Sequence, residues 1–311
     1  MRRLAAVLLV GLGCACSRPK AVAPQEEGAP QAGGAYTPAE GVPGCTLYSA
    51  PRQTGTVPFE LGEMSGLASS ARHPGIFWAH NDSDNLFQVF AIEDTGHIRA
   101  TLTLTGATPL DLEDIAVGPC EHRPEAPPCI YVGDIGDNFE RLEQMRVYRL
   151  PEPEQLVDAT LPVEVLAFTY PDKPHNTESL IIDARSGRLA VITKTPDSLG
   201  EVYALDGLRP NEAVKAVKLG TLRAPQDVDR LTTGADLHPS GERLLLRTYT
   251  RVWEVRLPKA QRLEELIAGQ VAEVPTGGQA QSEAIAFASD GRGYLLGSEF
   301  AGQPLYRTNC R

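Results

Sequence analysis

The chain has 311 residues, 42% of them hydrophobic, and a formal charge of -11. That acid excess argues against nucleic acid as a partner, because phosphate binding needs clustered Lys and Arg. The length suits one large domain once any unstructured segment is set aside.

Arg2 and Arg3 precede a nine-residue apolar run, Leu4 to Leu12. The run is too short to span about 30 Å of hydrocarbon, but it suits a signal-peptide core. It meets Gly13-Cys14-Ala15-Cys16-Ser17. Small residues ahead of a cysteine resemble a lipobox, where bacterial lipoproteins are lipidated and cleaved. An ordinary secretory signal is the alternative, although no A-x-A site follows. Cysteine parity chooses between the two thiols. Cleavage before Cys16 leaves Cys45, Cys120, Cys129 and Cys310 as an even set. Cleavage before Cys14 strands Cys16 as an odd thiol in an oxidising compartment. Cys16 is therefore the expected lipidated residue, with Gly13 standing where a lipobox usually has Leu. Residues 1–15 read as a lipoprotein signal peptide. Residues 16–43, rich in Pro, Ala, Gly and Glu, read as a disordered tether. The expected location is extracytoplasmic, lipid-anchored to a bacterial membrane at the periplasm or cell surface.

Residues 44–311 hold an internal repeat. Five segments share one order: a short apolar strand, a turn, a second apolar strand, then a polar loop. They begin at Met64, Leu112, Thr177, Gly234 and Ser282. Turns such as Arg185-Ser186-Gly187, Pro239-Ser240-Gly241 and Ser289-Asp290-Gly291 are hairpin chemistry. A third strand with period-two alternation follows each pair, as in Glu201 to Leu205 and Val252 to Val255. Four units add a fourth strand: Ile98 to Leu104, Val163 to Tyr170, Ala213 to Leu222 and Val271 to Val274. This predicts an all-β chain folded as a five-bladed β-propeller, with six blades as the alternative. The fifth unit ends after its third strand, and a spare strand, Thr56 to Leu61, lies upstream of the first. Supplying it to the last blade closes the ring with both termini in one blade and removes a free edge. The same closure pairs Cys45 with Cys310, leaving Cys120 with Cys129 across one inter-strand loop.

First strands line the channel of a propeller. Aligning the units on Leu67, Ile115, Leu180, Leu237 and Ile285 sets Ser65, Glu113, Glu178, Ala235 and Glu283 at one level. Three converging carboxylates cannot all ionise without a counter-charge. Either some are protonated or a cation sits among them, and hard oxygen ligands suit Ca²⁺ better than Zn²⁺. Hydrated acids at the channel mouth are the other possibility.

The E-S/D/A-L/I opening strand and the Y-V-G-D-x-G second strand resemble the five-bladed, calcium-dependent apyrase fold. The stretch from Met64 to Thr308 also resembles secreted bacterial propellers, some related to the esterase-like domain found beside phytases. The apyrase resemblance implies an axial Ca²⁺ held by Ser65, Glu113, Glu178 and Glu283, with Ala235 departing from the pattern. It also implies hydrolysis of nucleotide di- and triphosphates at the same face.

Loops on that face supply His80, Asn81, Asp82, Ser83, Asp84, Asp134, Asp137 and Asn138. Opposite them stand His175, Asn176, Lys194, Arg230, Tyr249 and Arg251. Acids facing bases suit a metal-bound phosphate or a sugar acid. No nucleophile elbow, H-E-x-x-H or phosphate-binding loop is present. The leading reading is a binding module for a small anionic ligand or a protein partner. The alternative is a metal-dependent phosphohydrolase or esterase in which Asp82 or Asp134 activates water, with His175 and Lys194 as further catalytic candidates.

Overall fold

The computed structural model describes Cys45 and residues 47–82, 85–121, 123, 125–225 and 229–311. The signal peptide, Cys14, Cys16 and the tether lie outside these residues, as do Ser83 and Asp84. Runs of β-branched, aliphatic and aromatic residues, punctuated by Gly, Pro and Asp, build strand after strand and group them in five antiparallel sheets. From the axis outward, blade one is Met64–Ser69, Ile76–Asn81, Gln88–Glu93 and Ile98–Thr105. Blade two is Leu112–Pro119, Pro128–Asp134, Met145–Pro151 and Glu164–Thr169. Blade three is Thr177–Asp183, Arg188–Thr193, Gly200–Ala204 and Val217–Leu222. Blade four is Thr232–Leu237, Arg243–Thr248, Val252–Arg256 and Gln270–Val274.

Blade five takes Ser282–Phe287, Gly293–Ser298 and Pro304–Asn309 from the C-terminus and Arg52–Thr56 from the N-terminal side. The ring therefore closes by mixed termini. Each inner strand packs on the next, and the fifth packs on the first. Among the described residues, five apolar clusters fill the five gaps between neighbouring blades. The closing strand starts earlier than expected. Thr56 is its last residue, and Phe59–Leu61 is a single 3-10 turn, since Pro58 has no N–H for a ladder. Arg52–Thr56 is polar and half exposed, which hid it from an apolar search. Two further short strands, Ala159–Pro162 and Val214–Lys215, run parallel along the outer edges of blades one and two.

The disulfides pair as expected, Cys45 with Cys310 and Cys120 with Cys129. Both lie at the end of the propeller that carries the inner hairpin turns. There Gly187, Gly241 and Gly291 take φ of 67°, 69° and 67°, a conformation that any other residue adopts only at a cost.

At the opposite end, all five inner strands share one irregularity. Pairing with the second strand slips at Ser65, Glu113, Glu178 and Thr233, and between Ser282 and Ile285. A bulge leaves its residue outside the ladder and re-aims the side chain. This corrects one alignment. Ala235 pairs with Leu246 as Leu180 pairs with Val191, so Thr233, and not Ala235, is the blade-four counterpart of Glu113 and Glu178. Apolar residues recur at every second position of a strand, so matching on them is blind to a slip of two.

Candidate axial cation and ligand site

The bulges gather Ser65, Glu113, Glu178, Thr233 and Glu283 at one end of the axis, all of them buried. The two hydroxyls tie blades together. Ser65 Oγ donates to the Glu113 carbonyl at 2.6 Å, and Thr233 Oγ1 donates to the Ser282 carbonyl at 2.8 Å. The three carboxylates differ sharply in their partners.

Glu178 is satisfied. Its Oε1 accepts from Asn176 Nδ2 at 3.0 Å and lies 3.0 Å from Lys194 Nζ. Lys194 also donates to the Tyr249 hydroxyl at 2.8 Å. Burial alone would lower the Lys194 pKa, but the Glu178 carboxylate and Tyr249 outweigh it and hold the ammonium charged.

Glu113 is not satisfied. No described residue donates a hydrogen bond to its carboxylate. Burial, then the charges of Glu178, Asp82 and Asp111, push its pKa well above the ordinary range. One carboxylate oxygen each from Asp82, Asp111 and Glu113 lies within 4.8 Å of the others. The cradle depends on Gly136, where a Cβ would collide with both Glu113 Oε1 and the Asp111 carboxylate. Glu283 resembles Glu113: its Oε2 is buried without a partner among the described residues, and burial followed by Glu178 raises its pKa to about 8. Glu299, at the rim, is also raised, by burial and by Asp82 and Glu63. Against these acids stand Lys194 and the buried Arg247. The Arg247 pKa falls to about 10 on burial, and its Nη1 and Nη2 donate to Thr276 and Gln279.

The rim candidates separate by position. Asp82 joins the cluster. Asp134 does not, because it is occupied holding the neighbouring loop. Its Oδ1 accepts from the amides of Leu110 at 2.9 Å and Asp111 at 2.8 Å, and its Oδ2 from Tyr148 at 2.6 Å. Asp137 Oδ2 accepts the Arg141 and Leu142 amides. His80 is fully buried beside the Asn81 carbonyl, and burial lowers its pKa. His175 belongs to a separate group with Asp172 and Glu201, joined through the Tyr203 hydroxyl, while Lys218 pairs with Glu201. Arg230 donates to the Asp197 carbonyl, and Arg251 pairs with Glu273, whereas Lys194 reaches an axial carboxylate.

Sequence reasoning missed Asp111 and Asp114. Asp111 was readable from the Asp-Leu-Glu string at 111–113, since alternate strand residues share a face. Asp114 carries no such signal. Its Oδ2 accepts from the Leu180 amide at 2.9 Å and the Ala235 amide at 3.4 Å, joining blades two, three and four across the axis. No protein-family model matches this chain, and no curated protein matches it.

Proposed function

We propose that this chain is a lipid-anchored, extracytoplasmic propeller that binds Ca²⁺ at its axial acids and takes an anionic ligand or a partner on the same face. The supporting observation is Glu113, a buried carboxylate without a hydrogen-bond donor among the described residues, crowded by Asp82 and Asp111. A buried charge in that position needs a proton or a cation. Carboxylate and hydroxyl oxygens without imidazole or thiolate suit a hard ion. Asp82, Asp111 and Glu113 would hold it, with Ser65 and Glu283 completing the oxygen-lined ring and Glu178 left to Lys194. The ion would supply positive charge for an anionic group docking beside Lys194. Asp134 and His175 are engaged elsewhere, so the reading stops at binding.

Calcium titration of the metal-stripped full chain tests this by calorimetry and thermal melting. The melting temperature should climb with calcium, the gain following ligand linkage at about 2.7 kcal/mol for a hundredfold excess over Kd. Glu113→Gln should weaken the response at least tenfold. A flat wild-type titration would refute the site.

The lipid anchor rests on the N-terminal pattern and agrees with two disulfides, which persist in oxidising compartments. Intact-mass measurement should find no lipid on Cys16→Ser. Lipid retained there but lost in Cys14→Ser would overturn the assignment. Cys45, the first described residue, lies on the end of the propeller away from the axial carboxylates.

A further inference from the structure

The loop face carries a second feature beside the acids. Among the described residues, five of the seven exposed large hydrophobics stand on it: Phe59, Leu86, Leu110, Phe139 and Phe300. Phe59 is 88% exposed, Phe139 76% and Leu86 75%, values at which an aromatic or aliphatic side chain contributes nothing to the core. Their loops interlock in sequence around the rim. The Phe300 amide donates to the Gly62 carbonyl at 2.7 Å, and Asn81 Nδ2 donates to the Glu60 carbonyl at 2.8 Å. Asp82 and Asp111 meet in the acid cluster, and the Ile135 amide donates to the Asp111 carbonyl at 3.1 Å. The loops that carry these apolar side chains thus adjoin one another along blades five, one and two. Phe300 also holds a left-handed backbone, φ 71°, that bulky residues rarely adopt.

The loops that carry these side chains are also rich in acids. Phe59 is followed by Glu60 and Glu63, Phe139 by Glu140 and Glu143, and Phe300 is preceded by Glu299. Among the described residues of these loops the one base is Arg141, set over the Phe139 ring at 5.2 Å. Lys173 reaches in from the neighbouring loop to pair with Glu140, while Lys194, Arg223, Arg230 and Arg251 stand on blades three and four. Exposed apolar groups rimmed by one sign of charge mark a surface for a partner of the opposite sign. A second copy would bring acid against acid.

We propose that the half-face of blades five, one and two docks a protein segment presenting Lys or Arg beside large apolar side chains. This rests on the binding-module reading above but not on its calcium site. The test is fluorescence anisotropy of the oxidised full chain with a labelled 12-residue peptide of alternating Lys and Leu. Alternating Lys-Ser and Glu-Leu peptides serve as controls. The Lys-Leu peptide should bind saturably, more tightly at low salt, and keep its affinity in chelator. Phe59→Ser/Phe139→Ser/Phe300→Ser should weaken it at least tenfold while melting like wild type, because those side chains are exposed. Glu60→Gln/Glu143→Gln should flatten the salt dependence. The proposal is overturned by absent binding, by equal binding of Lys-Ser, or by unchanged affinity in the triple Phe variant. Loss of binding in chelator overturns it too, by moving the docking to the ion. Concentration-dependent self-association abolished in the triple Phe variant would make a second copy the occupant. A flat calcium titration leaves this inference untouched, so the two readings fail separately.

Discussion

At the closure of the ring, Glu254 is fully buried and receives Arg243 Nε at 2.7 Å, Arg256 Nε at 2.6 Å and the Tyr48 hydroxyl at 3.0 Å. Arg256 Nη1 reaches on to the Cys45 carbonyl at 3.1 Å, binding the N-terminal segment into the same network. At the other end of the propeller, Glu113 is buried too but receives no hydrogen bond from a described residue, and Glu283 leaves Oε2 bare. The contrast lies in completeness. A buried charge costs several kcal/mol to desolvate, and neighbours must supply that energy or the group protonates. The closure supplies it from within the chain. Glu113 and Glu283 lack such partners within the described chain, which is why they and not the closure mark the candidate site.

The largest expected effect belongs to the closure. Cys45→Ser/Cys310→Ser opens a loop of 265 residues and should cost about 4 to 5 kcal/mol in denaturant melts, by loop-closure entropy. A loss under about 1 kcal/mol would mean that strand pairing and the buried network close the ring unaided. Glu254→Gln should come next, at about 3 to 5 kcal/mol, because it leaves two buried guanidinium groups short of a counter-charge. If the variant melts like wild type, the claim that this network is saturated structure collapses.

The axial end should respond to pH instead. Glu283 titrates near 8 in the folded chain, far above its ordinary 4.5. The folded state therefore holds a proton that the unfolded state has released. Stability from this group is full below about 4.5 and is lost as pH rises through about 8, on the order of 5 kcal/mol in chelator. Calcium should flatten that slope, since a bound cation favours the ionised form. A metal-free melting profile level between pH 5 and 8 would show that these acids are hydrated and unstrained. The smallest effect is expected from Glu113→Gln without calcium. Replacing an acid that burial and crowding force to take up a proton should raise stability by about 1 kcal/mol, readable as a higher melting temperature. A fall would turn Glu113 into a structural residue and erase the contrast between the two ends.

The blade order was legible because each blade is local. Hairpin glycines, alternating third strands and five recurrent apolar pairs lie within a few dozen residues of one another. Local backbone preferences write such patterns directly into sequence. The closure was legible for a different reason, cysteine parity together with a missing strand, although Arg52–Thr56 was displaced toward Thr56 to Leu61 by its polar composition. Glu113, Glu178 and Glu283 could be placed at the axis because the repeat carries them there. Thr233 could not, since the bulge that aligns it is a feature of strand pairing.

Sequence by itself determined the all-β class, the blade repeat, the mixed-terminus closure and the ring of axial acids, since each follows from periodicity or counting. Tertiary structure alone decided which acids are satisfied. Lys194 comes from the second strand of blade three and its following loop, and it settles on Glu178. Asp134 turns back to hold the Asp111 loop, and Asp82 and Asp111 converge on Glu113 from different blades. Those choices depend on how blade tips meet across the axis, a distance set by the packing of five sheets. No local string of residues encodes it, and for buried charges that distance decides between structure and site.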